Sequence, residues 1–208
     1  MLLRLYVIAD TEAARAGCGD VVRACQAAAD AGAQLFQVRH KAATATAQFD
    51  LAERLTRALA GYNVTLLIND RADIALALGC DGVHRPQSGI PVRALRRVLE
   101  QRLIATSCHT AAELLTADAE GADFVTFGPV FETTSKPGAR LAGIDGVSAA
   151  SKLVGTPLFA LGGVTPDHVE SCLRAGGYGV AVLSGIMAAH DPYAATLHYL
   201  ETIRTVTA

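Results

Sequence analysis

The sequence predicts a single parallel α/β barrel in which each of eight strands precedes a helix. Short runs rich in Val, Ile, Leu and Phe alternate along the 208 residues with longer segments rich in Ala, Leu and Arg. In the longer segments apolar residues recur every three or four positions, which is the period of an amphipathic helix. Strict alternation of this kind predicts parallel strands with right-handed crossovers. Eight such units in a chain of this length predict one (β/α)8 barrel domain over residues 1–208.

Eight short apolar runs predict the strands. In order they are Leu5–Ala9, Leu35–Val38, Thr65–Ile68, Gly82–Val83, Leu103–Ala105, Phe124–Phe127, Leu158–Leu161 and Gly179–Leu183. The first run is too short for a signal peptide and lacks the basic flank and the cleavage site of one. No apolar stretch of the sequence reaches the length that spans a bilayer, so we expect no membrane partner.

Eight periodic segments predict the helices. They are Val21–Ala31, Thr46–Ala60, Ala72–Ala77, Val92–Leu99, Ala111–Ala119, Val147–Leu153, Asp167–Ala175 and Pro192–Ile203. Capping residues support three of the starts, since Thr110 opens a T-x-x-E box, and Thr165 and Asp191 each precede a proline. An open, doubly wound sheet is the alternative fold. It usually carries a glycine-rich turn after its first strand, whereas Asp10-Thr11-Glu12 stands there, so a closed barrel is favoured.

Composition narrows the class of protein. The formal net charge is −2 and only 18% of residues are charged, which excludes the basic footprint of a nucleic-acid-binding protein. The five cysteines form no CxxC pair, and an odd number without zinc spacing predicts reduced thiols in a cytoplasmic protein. Small, buried apolar residues are the simplest interpretation of these thiols. The sequence does not fix the oligomeric state, and a homodimer is compatible with it.

Two glycine-containing turns predict a phosphate site. Gly162-Gly163 follows the seventh predicted strand, and Ser184-Gly185 follows the eighth. Residues without Cβ let a phosphate approach backbone N–H groups, and the last two strands of such barrels often share one phosphate site. Ordinary glycine turns at two strand ends are the alternative interpretation. We therefore expect an enzyme that acts on a small phosphorylated molecule.

Polar residues at other strand ends point to the same mouth of the barrel, where the active site of this fold forms. Gln37, Arg39 and Lys41 alternate and so share one face; if that face is inward, two cations converge and need an anion such as a diphosphate. A solvated outward face is the alternative. Asn69-Asp70 ends the third strand, where an Asp can hold Mg²⁺ together with substrate phosphates. Asp70 as a helix N-cap is the alternative.

Two further segments supply candidates. Ser107 and His109 follow the fifth strand, and His109 is a candidate acid–base group, although a histidine at a strand end is more often only hydrogen-bonded. Because Cys108 and His109 are adjacent, we expect their side chains to diverge rather than to form a nucleophile–base pair. Thr133, Ser135 and Lys136 lie in a polar loop after the sixth strand that can grip phosphate oxygens; a plain surface loop is the alternative.

Taken together, these motifs resemble the thiamine-phosphate synthase and thiazole tautomerase family. The resemblance covers nearly the whole chain and rests on an ordered set: QVRHK (37–41), INDRADIAL (68–76), DGVH (81–84), SCHT (107–110), GADFVTFGPVFETTSK (121–136), ALGGVTPD (160–167) and GVAVLSGI (179–186). Each motif is modest, and seven in the right order are specific. The resemblance implies a (β/α)8 barrel, in agreement with the alternation above.

The synthase branch joins an aminopyrimidine methyl diphosphate to a thiazole phosphate and releases diphosphate. The resemblance implies that the diphosphate substrate binds at Gln37, Arg39, Lys41 and Asn69, helped by Ser107 and Lys136. It implies that Asp70 binds Mg²⁺, and that the thiazole phosphate binds at Thr133, Ser135, Gly163, Ser184 and Gly185. Lys136, Ser107 and His109 are the candidate catalytic residues. Electrostatic stabilisation of the leaving group would be the main catalytic effect.

One departure favours the other branch. The synthase pattern places a second Mg²⁺-binding Asp where this chain has Gly89, and Ser135 stands where Thr is usual. The tautomerase aromatises a carboxythiazole phosphate without metal, with His109 as the acid–base group. We favour the synthase because Gln37, Lys41 and Asn69-Asp70 are retained. Another barrel enzyme acting on a small phosphate, and a silent ligand-binding barrel, stay open. On the synthase interpretation, Gly89→Asp should improve Mg²⁺ dependence or turnover.

A substitution in QVRHK separates the two predicted anion sites. Arg39→Ala is expected to weaken affinity for the pyrimidine diphosphate far more than affinity for the thiazole phosphate, because only the former carries the diphosphate. Isothermal titration with each substrate measures this. Equal losses for both substrates would contradict the assignment.

Overall fold

The computed structural model describes residues 3–41, 43–133 and 138–207, and its strands close into a parallel barrel in chain order. The strands are β1 (Leu5–Asp10), β2 (Leu35–Arg39), β3 (Thr65–Asn69), β4 (Gly82–Arg85), β5 (Leu103–Cys108), β6 (Phe124–Phe127), β7 (Leu158–Leu161) and β8 (Gly179–Val182). β1 pairs with both β2 and β8, which closes the sheet. The predicted (β/α)8 barrel is therefore confirmed.

Helices follow the strands around the outside. They are α1 (Thr11–Ala16), α2 (Val21–Asp30), α3 (Ala45–Leu59), α4 (Ala72–Ala77), α5 (Val92–Leu99), α6 (Ala111–Ala119), α7 (Gly143–Leu153), α8 (Pro166–Arg174), α9 (Ser184–Met187) and α10 (Pro192–Thr207). The short helices α1 and α9 were not predicted. A helix of one or two turns is too short to show a period, and α1 forms because the Asp10 carboxylate accepts from the backbone N–H groups of Glu12 and Ala13.

Several elements run further than predicted. β5 continues three residues to Cys108, and β4 continues two residues to Arg85, because these ends stay paired with the neighbouring strands. Their polar residues weaken the apolar pattern without weakening the backbone ladder. α7 begins at Gly143 rather than at Val147, and α10 extends to Thr207. The polar strand ends thus belong to the barrel itself, which gives them a fixed direction.

Alternation along each strand divides the core into two layers. Every second side chain, such as Val7 and Phe36, packs outward against the helices. The others fill the barrel interior, where Tyr6, Phe124 and Phe159 meet with ring centroids 5.1–6.0 Å apart. Full burial of an aromatic side chain contributes about 1.5–3 kcal/mol. The barrel interior is consequently packed with side chains, and the cavity that it leaves lies at its mouth.

The three predicted helix caps are confirmed, and so is the predicted burial for four of the five cysteine thiols. Thr110 accepts from the Glu113 N–H at 3.3 Å, Asp191 accepts from the Ala194 N–H at 3.0 Å, and Thr165 forms a capping box with His168. The cysteines are free thiols, with Cys18 half-buried and the others buried. In the described part of the chain, no helix combines the length and the apolar character needed to cross a membrane.

Candidate active site

A cavity of about 710 Å³ opens at the carboxyl ends of the strands. Small-molecule sites have volumes of this order. The predicted site residues that line it are Gln37, Arg39, Lys41, Asn69, Asp70, Ser107, His109, Thr133, Gly163, Ser184 and Gly185. Ser135 and Lys136 lie outside the described residues. The structure therefore brings every described candidate to one cavity, while their roles stay predictions.

Arg39 and Lys41 form the cationic part of the wall. Arg39 points inward from the end of β2, which decides between the two orientations that the alternation left open, and both side chains line the cavity. Arg39 Nη1 donates to the carboxylate of Asp10, which faces it from β1 and is only 8% exposed in its side chain. The same carboxylate caps α1. Asp10 thus orients Arg39 and offsets its charge, so the wall is less cationic than the sequence suggested.

Asp70 stands beside this wall at the end of β3. Its φ is +63°, in the left-handed region, and its N–H donates to the His84 carbonyl at 2.9 Å. The N-cap of α4 is Arg71, so the alternative of Asp70 as a helix cap is wrong. Arg71 instead binds Asp73 with two hydrogen bonds, at 2.5 and 2.8 Å. Among the described residues, no side chain donates to the Asp70 carboxylate.

A chain of hydrogen bonds crosses the floor of the cavity. Gln37 Nε2 donates to the Tyr6 hydroxyl at 3.0 Å, and this hydroxyl lies 3.1 Å from His84 Nδ1. His84 Nε2 lies 2.8 Å from Ser107 Oγ, which also accepts from Thr126 Oγ1 at 3.5 Å. These side chains come from five strands. The chain therefore ties together the parts of the barrel that carry Gln37 and Ser107.

The protonation states of His84 and Tyr6 decide which group donates in each hydrogen bond of this series. Burial lowers the pKa of His84 to about 3, and the positive charge of Arg39 adds to the shift, so the imidazole is neutral near pH 7. Burial also raises the pKa of Tyr6, which stays protonated. Since Tyr6 accepts from Gln37, its own proton goes to His84 Nδ1, and His84 Nε2–H donates to Ser107. Ser107 keeps its hydroxyl proton for the cavity, and Gln37 keeps a carbonyl oxygen and one N–H.

The glycine turns line the remaining part of the cavity. Gly162 and Gly163 have φ values of +98° and +63°, and a Cβ on Gly163 would overlap the Glu132 carbonyl oxygen. The turn after β6 lies directly on this pair, since Phe131 N–H donates to the Gly162 carbonyl at 2.9 Å. Ser184 begins the short helix α9 after β8. Barrels of this class bind phosphate with the turns after the last two strands and a short extra helix.

Cys108 and His109 diverge as expected. Cys108 is buried in the outer layer, while His109 lines the cavity and its Nδ1 contacts the Gly128 carbonyl oxygen. The backbone N–H of His109 donates to Glu113 at 2.6 Å. A nucleophile–base pair between these two residues is excluded by this geometry.

A family model described as thiamine monophosphate synthase matches residues 5–186. That match spans all eight strands and the whole cavity. The chain belongs to the thiamine monophosphate synthase family.

Known members of this family are similar to the chain over most of its length. A thiamine-phosphate synthase of Chloroflexus aurantiacus is 38% identical over 193 residues, which cover 92% of this chain and 88% of that protein. Another, of Thermosynechococcus vestitus, is 40% identical over 86% of this chain and 51% of that longer protein. The solved structure of a thiamine phosphate pyrophosphorylase from Pyrococcus furiosus has a TM-score of 0.89 and 29% identity, covering 99% and 98% of the two chains.

Gly89, which stands where the synthase pattern has an Asp, lies directly beside Asp70. A Cβ built on Gly89 would lie 3.0 Å from Asp70 Oδ1, 2.9 Å from Arg85 Cγ and 3.1 Å from Pro86 Cδ. Arg85 holds this turn in place by donating to the carbonyls of Gly89 and Ile90. The position where the family resemblance expects a second carboxylate thus lies beside Asp70 and is tightly packed.

Sequence reasoning missed three residues that arrange the site. Asp10 is a polar residue at the carboxyl end of β1, and the same criterion predicted the other site residues, so it could have predicted Asp10 as well. His84 ends the DGVH motif without an evident role in the sequence, and Tyr6 is hidden within an apolar run. For Tyr6 no local signal exists, because its hydroxyl matters only through partners on β2 and β4.

Removing the Tyr6 hydroxyl breaks the series of hydrogen bonds at the floor of the cavity. Tyr6→Phe is expected to lower the free energy of unfolding by about 1–3 kcal/mol, because a buried Gln37 N–H and His84 Nδ1 lose their partner. Urea denaturation measures this. Tyr193→Phe is the matched control, since Tyr193 is 45% exposed. Equal stability of Tyr6→Phe and wild type would contradict the assigned chain.

Proposed function

We propose that this protein joins an aminopyrimidine methyl diphosphate to a thiazole phosphate, releasing diphosphate and forming thiamine phosphate. Family membership supports the reaction class, a transferase of thiamine biosynthesis. The observation that carries the assignment is that Arg39, Lys41 and Asp70 share one cavity with the turns at Gly163 and Ser184. Two anionic groups can therefore be held at one mouth, as a reaction between two phosphorylated substrates requires.

The leaving diphosphate binds at the cationic wall. Lys41 has no ion-pair partner within the described residues, whereas Arg39 is held by Asp10 and presents its other N–H groups at a fixed angle. Both cations stabilise the negative charge that develops on the diphosphate as the C–O bond breaks. Lys136 stays a proposed contributor on the basis of the family resemblance alone.

The pyrimidine ring is recognised at the floor. An aminopyrimidine edge offers an amino donor beside a ring-nitrogen acceptor. Gln37 presents a carbonyl oxygen and an N–H, and Ser107 presents a hydroxyl proton, so the floor complements that edge. This fixes the direction of the methylene group relative to Arg39 and Lys41.

Bond changes follow from this placement. The C–O bond between the pyrimidine methylene and the diphosphate breaks, and its electron pair leaves with the diphosphate. The thiazole nitrogen donates its lone pair to the methylene carbon, which forms the new C–N bond and a thiazolium cation. The thiazole is held through its phosphate at Gly163, Ser184, Gly185 and Thr133, with Ser135 proposed from the resemblance. Holding both partners in one cavity supplies the proximity that the step needs.

The donor set fits Mg²⁺ with one protein carboxylate. Asp70 lines the cavity, and no described side chain donates to its carboxylate. Mg²⁺ commonly binds through one or two carboxylates together with substrate phosphates and waters. When bound there it would neutralise charge on the departing diphosphate. Asp70 is the residue that would hold it, with Asn69 beside it; a group of three or more His, Cys, Asp or Glu side chains suited to a metal is absent from the described residues.

The alternatives receive less support. Neither the family model nor the named relatives support the thiazole tautomerase. We infer a cytoplasmic enzyme, and the free cysteine thiols support this inference. We also infer that it binds no nucleic acid, which the net charge of −2 supports. A homodimer stays a prediction from the sequence.

Coupling of the two substrates tests the function. We expect diphosphate release and thiamine phosphate formation only when pyrimidine diphosphate, thiazole phosphate and Mg²⁺ are all present. A coupled diphosphate assay with chromatography of the product measures both. Substrate binding without turnover would identify a silent binding barrel, and aromatisation of the carboxythiazole phosphate, seen by ultraviolet absorbance, would identify the tautomerase.

A carboxylate at position 89 tests the metal site. Gly89→Asp is expected to lower Tm without metal, because its carboxylate lies against Asp70, and Mg²⁺ should restore Tm by about 2–4 °C more than in wild type. Thermal denaturation with and without Mg²⁺ measures this. Gly89→Ala, which adds the same Cβ without charge, is the control. An identical Mg²⁺ response of the two variants would contradict a metal at Asp70.

A further inference from the structure

Tyr199 is a buried residue that the proposed reaction does not use. It lies on α10 in the outer layer and is 2% exposed, yet its hydroxyl donates to the Val164 carbonyl at 2.8 Å. Val164 directly follows Gly163 and lines the cavity. The last helix of the chain, α10, therefore reaches the turn after β7 through one hydrogen bond.

The same hydroxyl also contacts the turn after β8. A Cβ built on Gly185 would overlap the Tyr199 hydroxyl oxygen and would lie 3.2 Å from its Cζ and 3.1 Å from Val182 Cγ1. The φ of Gly185 is not in the left-handed region, so the backbone there suits any residue. Glycine is thus required at 185 by the close approach of Tyr199 and not by the turn itself.

One oxygen atom consequently links both turns that line the glycine part of the cavity. Val164 follows β7, Gly185 follows β8, and both line the cavity. Burial raises the pKa of Tyr199 to about 12, so it keeps its proton and donates throughout the neutral range. The link is therefore present under all conditions in which the enzyme would work.

We propose that Tyr199 is a positioning residue that holds the turns after β7 and β8 at the separation needed to bind the phosphate monoester of the thiazole substrate. This inference rests on the proposed function for the identity of that substrate. Tyr199 touches no reacting atom, and its effect is confined to the phosphate end. The side chains of the pyrimidine floor come from β1, β2, β4, β5 and β6, and Arg39 of the cationic wall lies on β2. The Tyr199 hydroxyl instead contacts the turns after β7 and β8.

A conservative substitution separates positioning from general stability. Tyr199→Phe removes only the hydroxyl and is expected to weaken binding of thiazole phosphate, and of inorganic phosphate as the minimal probe, by roughly 3- to 10-fold, as for one lost hydrogen bond. Affinity for the pyrimidine diphosphate should change less than about 2-fold. Isothermal titration measures all three. Tyr193→Phe, on the exposed side of the same helix, should change none of them.

A double variant tests the contact with Gly185. Gly185→Ala alone should weaken thiazole phosphate binding more than Tyr199→Phe does, because its Cβ overlaps the hydroxyl oxygen. In Tyr199→Phe/Gly185→Ala that oxygen is gone and only the closer packing against Tyr199 Cζ and Val182 Cγ1 remains, so the double variant should lose much less affinity than the sum of the two single losses. Such coupling is expected only for residues in direct contact.

Three results would overturn the inference: wild-type affinities in Tyr199→Phe, equal loss of both substrates, or independent effects of the two substitutions. Failure of the proposed function is distinguishable from these. In that case the wild-type protein does not couple the substrates, while inorganic phosphate binding still responds to Tyr199→Phe and to the double variant.

Discussion

The limited interior of an eight-stranded barrel is the constraint on which the rest of the structure depends. Alternate side chains of every strand must point into a space that they themselves fill. Tyr6 satisfies both demands of this space. Its ring packs edge-on against Phe124, with ring centroids 5.2 Å apart, in the apolar interior of the barrel. Its hydroxyl forms hydrogen bonds with Gln37 and His84 at the floor of the cavity. The polar mouth is therefore built directly on the apolar core, and the Tyr6 hydroxyl and both ring nitrogens of His84 have hydrogen-bond partners there.

Charge at the mouth is balanced rather than accumulated. Arg39 lies on a wall that must attract anions, yet it is paired with the carboxylate of Asp10 on the neighbouring strand β1. A partly buried ion pair contributes little net stability, since desolvation offsets most of the attraction. Its benefit is orientation, because a guanidinium held at one end presents its other donors in a fixed plane. The neutral state of His84 belongs to the same arrangement, since the charge of Arg39 opposes its protonation.

Close approach within the protein explains glycines that sequence motifs associate with ligands. Gly163 lies under the Glu132 carbonyl, Gly185 under the Tyr199 hydroxyl and Gly89 beside the Asp70 carboxylate. At Gly163 and Gly185 a Cβ would overlap another part of this chain, and at Gly89 a Cβ would be tightly packed against one. A glycine in a binding turn thus has two functions: it exposes the backbone to a ligand on one side and admits a supporting element on the other. This double use makes the turns sensitive to residues far from the substrate in sequence, such as Tyr199.

By itself, the sequence determined the fold, the position of most elements and the candidate residues at the mouth. Periodicity identifies strands and helices because it follows from local backbone geometry. The carboxyl ends of parallel strands all lie at one edge of the sheet, whichever strands are neighbours, so their polar residues are brought together there. Gln37, Arg39, Asn69 and Ser107 were found in this way. Only the tertiary structure decided which atoms meet: Asp10 with Arg39, Tyr6 with His84, Gly89 with Asp70, and Tyr199 with the turns after β7 and β8. These contacts depend on strand register and on how the outer helices pack, and both are set by the closed barrel as a whole.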